Sequence, residues 1–249
     1  MSVPLLLLHG FTGSPASWQP ALSEMPGVRS ERPALLGHDG SEGDPEIAGF
    51  VDEVDRVAAE AGGAGLRAAH VAGYSLGARI ALGLLVRHPA LASAATLIGV
   101  HPGLSTEPQR AERRRSDESW CRLLETRGIE AFADAWQQQP LFASQQGLPA
   151  ERLSEQRRVR LGHNPRGLAR SLRTVGLACM PDLRPALGGV SCRVRLLAGG
   201  SDAKFRALAE EVASALPRAA VTVADGAGHN LLLERPDFVA GALREGISA

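Results

Sequence analysis

Two rhythms of apolar residues alternate along the chain. Leu5 to Leu8 is an unbroken run of four, too short for a helix and suited to a strand buried on both faces. Phe50 to Ala61 instead places Phe50, Val51, Val54, Val57, Ala58 and Ala61 at helical spacing, with acids on the other face. The short apolar run Ala68 to Ala72, continued by Gly73, predicts a second strand, Ala78 to Val86 a helix, and Ala94 to Val100 a third strand. Trp18 to Leu22 predicts a short helix after the turn-like Thr12 to Ser17, and Gly37-His38-Asp39-Gly40-Ser41 a glycine-rich loop. Towards the C-terminus the strands Arg193 to Ala198 and Ala220 to Ala224 flank the helix Phe205 to Leu216, and Phe238 to Ile247 reads as a closing helix. Strands that alternate with helices argue for an α/β fold with a mostly parallel sheet covered on both faces.

The rhythm breaks between about Ser105 and Pro185. There the chain reads as polar, arginine-rich helical stretches interrupted at Gly128, Gly147-Leu148-Pro149 and Asn164-Pro165. Fourteen arginines stand against ten acids in this segment, so it is net basic while the remainder is net acidic. The expected organisation is a helical insertion at 105–185 in a core made of 1–104 and 186–249, compatible with one domain for a chain of 249 residues.

Twenty-seven basic and 27 acidic residues balance, which gives no reason to expect nucleic acid or an anionic membrane as partner. Cys121, Cys179 and Cys192 are widely spaced and match no metal or disulfide framework, which suits a reducing compartment. The chain opens Met1-Ser2-Val3-Pro4 with no basic n-region or cleavage signal, and no apolar run approaches membrane-spanning length. A cytoplasmic protein is expected. No dinucleotide fingerprint and no metal-ligand spacing occurs, so neither a cofactor nor a metal is expected.

Candidate chemistry begins at Gly73-Tyr74-Ser75-Leu76-Gly77. A G-x-S-x-G sequence between a predicted strand and a predicted helix has the context of a nucleophile elbow, where glycines admit a serine on a tight turn. A serine hydroxyl is a weak base and a weak nucleophile at neutral pH. It needs a histidine to take its proton and an acid to hold that histidine's tautomer. His229 follows a strand and the turn Asp225-Gly226-Ala227-Gly228, and Asp202 follows a strand and Gly199-Gly200-Ser201. Both fall beyond strand carboxyl ends, where open α/β sheets assemble their sites. Asp202 has a second reading as the cap of the helix that follows it. Asp225 is a rival acid, four residues from His229 in the same turn. Upstream, His9-Gly10-Phe11 follows the first strand, and the N–H groups of Phe11 and Leu76 would form an oxyanion hole. His9 itself reads as a turn histidine with no chemistry assigned.

Arginines supply local charge that the balanced total conceals. Arg79 lies four residues after Ser75, one helical turn along, so its stem starts beside the reactive centre and its guanidinium can bind a carboxylate in bidentate geometry. Arg110, Arg113, Arg114 and Arg115 cluster on the helix entering the insertion, with Arg114 and Arg115 reading as a solvated face. Trp120 and Trp136 read by default as core of the insertion.

These motifs extend to a family resemblance. It rests on Gly73-Tyr74-Ser75-Leu76-Gly77-Ala78-Arg79, His101-Pro102-Gly103-Leu104, and Gln109-Arg110-Ala111-Glu112-Arg113 with Arg115-Ser116-Asp117. It continues through Trp136-Gln137-Gln138, Pro140-Leu141-Phe142-Ala143-Ser144, Pro181-Asp182-Leu183-Arg184, Asp202 with Lys204-Phe205-Arg206-Ala207-Leu208-Ala209, and Ala227-Gly228-His229-Asn230. Together these resemble the 2-succinyl-6-hydroxy-2,4-cyclohexadiene-1-carboxylate synthases of menaquinone biosynthesis, lyases on the α/β-hydrolase fold, and the insertion corresponds to their helical lid. The resemblance implies a triad of Ser75, His229 and Asp202, an oxyanion hole at Phe11 and Leu76, and substrate contacts at Tyr74, Arg79, Arg113 and Trp136. Arg160 falls at a further contact position, with different spacing around Leu161 to Gly167, and Phe142 and Lys204 fall at further motif positions.

Two departures stand out. The chain enters the His-Gly-Phe strand almost at once, so the leading strand of many relatives is shortened or absent. A loop that often reads Pro-Gly-His-Gly is here Leu36-Gly37-His38-Asp39-Gly40. The resemblance implies elimination of pyruvate from 2-succinyl-5-enolpyruvyl-6-hydroxy-3-cyclohexene-1-carboxylate, a small tricarboxylate, without a cofactor. Two other functions use the same residues: a serine hydrolase acting on an ester, thioester or carbon–carbon bond with Ser75 as nucleophile, and a noncatalytic carboxylate-binding protein.

Overall fold

A computed structural model describes residues 3–38 and 40–248; Met1, Ser2, Ala249 and Asp39 of the glycine-rich loop lie outside the described residues. Among the described residues six strands form one sheet: β1 (Leu5–Leu8), β2 (Ser30–Glu31), β3 (Ala69–Tyr74), β4 (Ala92–Ile98), β5 (Arg193–Gly199) and β6 (Ala219–Ala224). Their order is β2-β1-β3-β4-β5-β6, and each neighbouring pair is parallel. Parallel neighbours need crossover connections, which the flanking helices supply. β2 stands at one edge of the sheet, where its two half-buried residues pair with Leu5 and Leu6. Two residues carry no alternation, so this strand had no signal in the hydrophobic pattern.

Successive side chains of β1 point to opposite faces and enter different cores. Leu6 and Leu8 pack with Val54 of α2 (Phe50–Gly63), Ile80 of α3 (Leu76–Arg87) and, after the insertion, Val212 of the helix Ala203–Ala215. Leu5 and Leu7 pack on the other face with Trp18, with Ala21 of α1 (Gln19–Ser23), and with Val239 and Leu243 of the helix Pro236–Ser248. β4 begins and ends two residues earlier than the apolar run Ala94 to Val100 suggested. Gly99, at φ 60°, turns the chain out of the strand.

The inserted helical region lies between β4 and β5. It comprises α4 (Glu107–Gln137), α5 (Ala150–Leu161) and α6 (Pro165–Val175). α4 is broken at Gly128, where φ is 76°, and α6 is capped by Asn164, whose side chain accepts from the N–H groups of Arg166 and Gly167. Cys121, Leu124, Phe132, Leu168 and Leu172 give this region its own small core, against which Trp120, Trp136 and, from the sheet side, Phe11 pack. The chain then continues through α7 (Ala203–Ala215), α8 (Leu231–Glu234) and α9 (Pro236–Ser248). Among the described residues no helix is long and apolar enough to cross a membrane.

Candidate active site

β3 runs directly into α3, and Ser75 is the residue between them. Its φ of 52° and ψ of −104° are costly for a residue with a side chain, which is the strained turn that exposes an elbow serine. The turn needs α3 close against β1. A Cβ on Gly77 would fall 2.1 Å from the Leu8 carbonyl oxygen. His229, on the loop after β6, places Nε2 3.1 Å from Ser75 Oγ, and its Nδ1 lies 2.8 Å from Asp202 Oδ2. A carboxylate only accepts, so Nδ1 carries the hydrogen and Nε2 is left to receive the serine proton. The other oxygen of Asp202, Oδ1, accepts from the Phe205 N–H at 3.2 Å in the first turn of α7. Asp202 thus both caps α7 and meets His229, while Asp225 is exposed and does not meet that ring. The loop around His229 is pinned by Glu234, which accepts from the N–H groups of Gly228 at 2.6 Å and Asn230 at 3.1 Å.

Phe11 and Leu76 line one cavity with Ser75 and His229. Leu76 opens α3, so its N–H belongs to the first turn and has no intrahelical acceptor. The Gly10–Phe11 peptide is held from its carbonyl side, where Gly10 O accepts from His9 Nδ1 at 2.9 Å and from the Gly13 N–H at 3.0 Å. In a planar trans peptide the carbonyl and the next N–H point in opposite directions, so anchoring this carbonyl aims the Phe11 N–H away from it. His9 Nε2 accepts from the Leu35 N–H at 3.1 Å, which fixes the tautomer. Burial lowers the pKa of His9 to about 4, so the ring is neutral. The reading of His9 as a simple turn residue is thus incomplete.

The cavity at Ser75 encloses about 130 Å³ and is also lined by Arg79, His101, Arg113, Trp136, Ser171 and Lys204. Arg79 Nη1 donates to the Val175 carbonyl at 3.0 Å, and Arg113 Nε to Asp117 Oδ1 at 2.8 Å. Burial, then the neighbouring Arg113 charge, lowers the pKa of Arg79 to about 9, which still leaves a cation at neutral pH. Burial pushes the Asp117 carboxyl up, against the pull of Arg113 and Arg79. His101 is driven down to about 3, first by burial and next by Arg79. Its Nδ1 accepts from the Gly103 N–H at 3.1 Å, so the neutral ring carries its hydrogen on Nε2. Among the described residues Trp136 Nε1 and Ser171 Oγ are buried without a hydrogen-bond partner. Cations and unspent donors around a small cavity suit an anionic, oxygen-rich ligand.

A second cavity of about 560 Å³ is lined by Tyr74, Phe142, Arg160 and the stretch Gly10 to Gly13. Arg160 is buried, its Nε donating to Thr12 Oγ1 at 3.4 Å and its guanidinium lying 5.4 Å from the centre of the Phe142 ring. Burial lowers its pKa to about 10. Burial likewise raises the pKa of the Tyr74 phenol.

A profile of the alpha/beta hydrolase family matches residues 5–242. The chain is 35% identical over 241 residues to the 2-succinyl-6-hydroxy-2,4-cyclohexadiene-1-carboxylate synthase of Salmonella heidelberg, covering 97% of this chain and 92% of that protein. The same figures hold for the synthase of Salmonella newport. The chain belongs to this synthase family, a family of lyases within the alpha/beta hydrolases. The structure of MenH from S. aureus matches it with a TM-score of 0.92 at 26% identity, over 99% of this chain and 93% of that one. A thermophilic esterase from Thermogutta terrifontis matches with a TM-score of 0.82 at 24% identity, over 98% and 89% of the two chains, a likeness of fold alone.

In this member of the synthase family the residues singled out from sequence divide between the two cavities. Phe11, Ser75, Leu76, Arg79, Arg113, Trp136, Lys204 and His229 line the smaller one, with Asp202 behind His229. Lys204 is exposed, its Nζ 5.6 Å from the centre of the Phe205 ring. Tyr74, Phe142 and Arg160 line the larger one, and Phe11 belongs to both. Arg160 comes from α5 and packs against Thr12 and Phe142, apart from Arg79 and Arg113. His101 and Glu234 had no assigned role. His101 was visible only within a motif, and Glu234 only as one acid among many. Among the described residues no group of three His, Cys, Asp or Glu is arranged to hold a metal ion.

Proposed function

We propose that the chain eliminates pyruvate from 2-succinyl-5-enolpyruvyl-6-hydroxy-3-cyclohexene-1-carboxylate. Ser75 Oγ passes its proton to His229 Nε2 and takes the ring proton beside the succinyl ketone. Charge then gathers on the ketone oxygen, where the N–H groups of Phe11 and Leu76 stabilise the enolate. As the ketone re-forms, the carbon–oxygen bond to the enolpyruvyl group breaks and the conjugated cyclohexadiene remains. His229 gives the proton it holds to the departing group, which becomes pyruvate, and Ser75 keeps the proton it took from the ring. No acyl-enzyme forms.

The observation that carries this reading is that Arg79 and Arg113 line the same cavity as Ser75 and His229. A substrate with three carboxylates gives those cations their counter-charge. A cavity of about 130 Å³ falls below the roughly 300–1,000 Å³ of small-molecule sites. Substrate binding therefore joins it to the larger cavity across Phe11, which brings Tyr74, Phe142 and Arg160 into contact. In this reading 105–185 is a lid over the core segments 1–104 and 186–249, Trp136 and Lys204 border the site, and no cofactor takes part. Three free cysteines suit the cytoplasm as the compartment.

The test is pyruvate release from the enzymatically generated substrate at known enzyme concentration, beside a p-nitrophenyl ester control and a no-enzyme rate. Fast release with little ester cleavage is expected. Background-level release with robust ester cleavage would move the chain to a hydrolase with Ser75 as nucleophile.

A further inference from the structure

We propose that His38 and His163 are positioning residues for the oxyanion loop, acting through Thr12 to hold the segment that presents the Phe11 N–H and to tie it to the inserted helices. The inference rests on the reading in which that N–H stabilises the enolate. It starts from Thr12, a buried β-branched residue at φ 63°. Such a residue disfavours the left-handed region and stays there only when its surroundings over-determine it.

Side chains from two separate segments do so. The Thr12 N–H donates to His38 Nε2 at 3.2 Å, while His38 Nδ1 donates to the Leu36 carbonyl at 2.9 Å. This wiring requires a neutral ring with its acceptor aimed at Thr12. The loop that carries His38 is anchored in turn, since the Leu36 N–H donates to the buried carboxylate of Glu53 at 2.9 Å and Arg56 Nη2 to the Ala34 carbonyl at 2.9 Å. From the insertion, just after α5, comes His163. Its ring centre lies 5.3 Å from that of His38, and on the last turn of the same helix Arg160 Nε donates to Thr12 Oγ1 at 3.4 Å. His9 lies on the other side of His38, with ring centres 5.0 Å apart.

The three buried imidazoles form a row along the loop. His9 holds the Gly10–Phe11 peptide by its carbonyl, and His38 holds the next peptide, Phe11–Thr12, by its N–H. Peptides are planar, so fixing one on each side of the Phe11 Cα leaves the two backbone dihedrals of Phe11 little freedom. The direction of the oxyanion donor is thereby set before substrate arrives. Burial lowers the pKa of all three rings, which favours the neutral form that the hydrogen bonds of His9 and His38 require. His163 adds the link to the insertion, where the Phe11 ring also packs, 5.2 Å from Trp136.

His38→Leu, His38→Gln and His163→Leu in the full chain test the inference by kcat and KM for pyruvate release and by amide hydrogen exchange of residues 10–13 without substrate. Misplacing a reacting group by about 1 Å can cost on the order of 100-fold. His38→Leu is accordingly expected to lower kcat by at least roughly tenfold with KM little changed, and to speed exchange of the Thr12 amide. His38→Gln keeps a donor and an acceptor and recovers part of kcat. His163→Leu lowers kcat in the same direction. A lowered thermal midpoint with kcat per folded molecule and exchange unchanged would overturn the proposal, leaving the histidines as packing. Should His38→Leu not fold, His38→Gln and His163→Leu decide by the same measures. Exchange is read without turnover, so it still judges the loop if the wild type releases no pyruvate, a result that would defeat the proposed function by itself.

Discussion

Asp202 answers two needs with two oxygens, one capping α7 and one orienting His229. The sequence could not choose between these uses, because each asks for an aspartate at the same point after a strand. Substitutions separate them. Asparagine is as good a cap as aspartate but offers His229 the wrong partner, so Asp202→Asn should lower kcat by on the order of 10³–10⁴ with an unchanged thermal midpoint. Asp202→Ala should lose the activity and also about 1 kcal/mol of stability. Steady-state rates beside thermal melts of both variants check this. The arginines divide in a similar way. Arg79→Ala and Arg113→Ala are each expected to lower kcat/KM roughly 10- to 100-fold, the worth of a charge-assisted hydrogen bond. Arg113→Ala should in addition destabilise the fold, since it strips the buried Asp117 of its guanidinium. Retained kcat/KM in both variants would remove them from the substrate contacts.

At the scale of elements, the strand-to-helix junction at Ser75 depends on how closely α3 approaches β1. The Leu8 carbonyl is backbone within a buried parallel strand and has no room to yield to a Cβ 2.1 Å away. Gly77→Ala is expected to cost about 1–3 kcal/mol as an overpacking change. It should also cost activity beyond the loss of folded protein, because the shift is delivered to the residue two before it. Kinetics normalised to folded enzyme would show this, and an unimpaired variant would mean that α3 can move without disturbing the triad. The junction was legible in the sequence because G-x-S-x-G joins two elements of different period. β2 was not, since two residues have no period at all.

Burial lowers the pKa of His9, His38, His70, His101 and His163, and this shapes the response of the whole molecule to acid. Unfolded histidine binds its proton near pH 6.5, whereas burial lowers His9 and His70 to about 4 and His101 to about 3. Between those values the unfolded chain binds more protons than the folded one. Stability is therefore fully present above about pH 6.5 and is lost as pH falls towards 4, at about 1.4 kcal/mol per pH unit for each such histidine. Asp117, whose pKa burial raises, acts in the opposite sense over the carboxylate range. Urea midpoints should be level from pH 8 to 7 and fall steeply below 6.5. A flat profile down to pH 5 would show that these rings are solvated.

The sequence by itself determined the alternation of strands and helices apart from β2, the parallel sheet, the helical region between β4 and β5, and the succession Ser75, Asp202, His229 beyond strand ends. All of these are written in neighbouring residues, because hydrophobic period and turn chemistry are local properties of the chain. The tertiary structure alone decided that Asp202 rather than Asp225 meets His229, that Phe11 stands between Arg160 and the other two arginines' cavity, and that His9, His38 and His163 line up along one loop. Those outcomes depend on which distant side chains share a buried space. In such a space each polar atom must find a partner among whatever packing has brought near, and no local pattern records that choice.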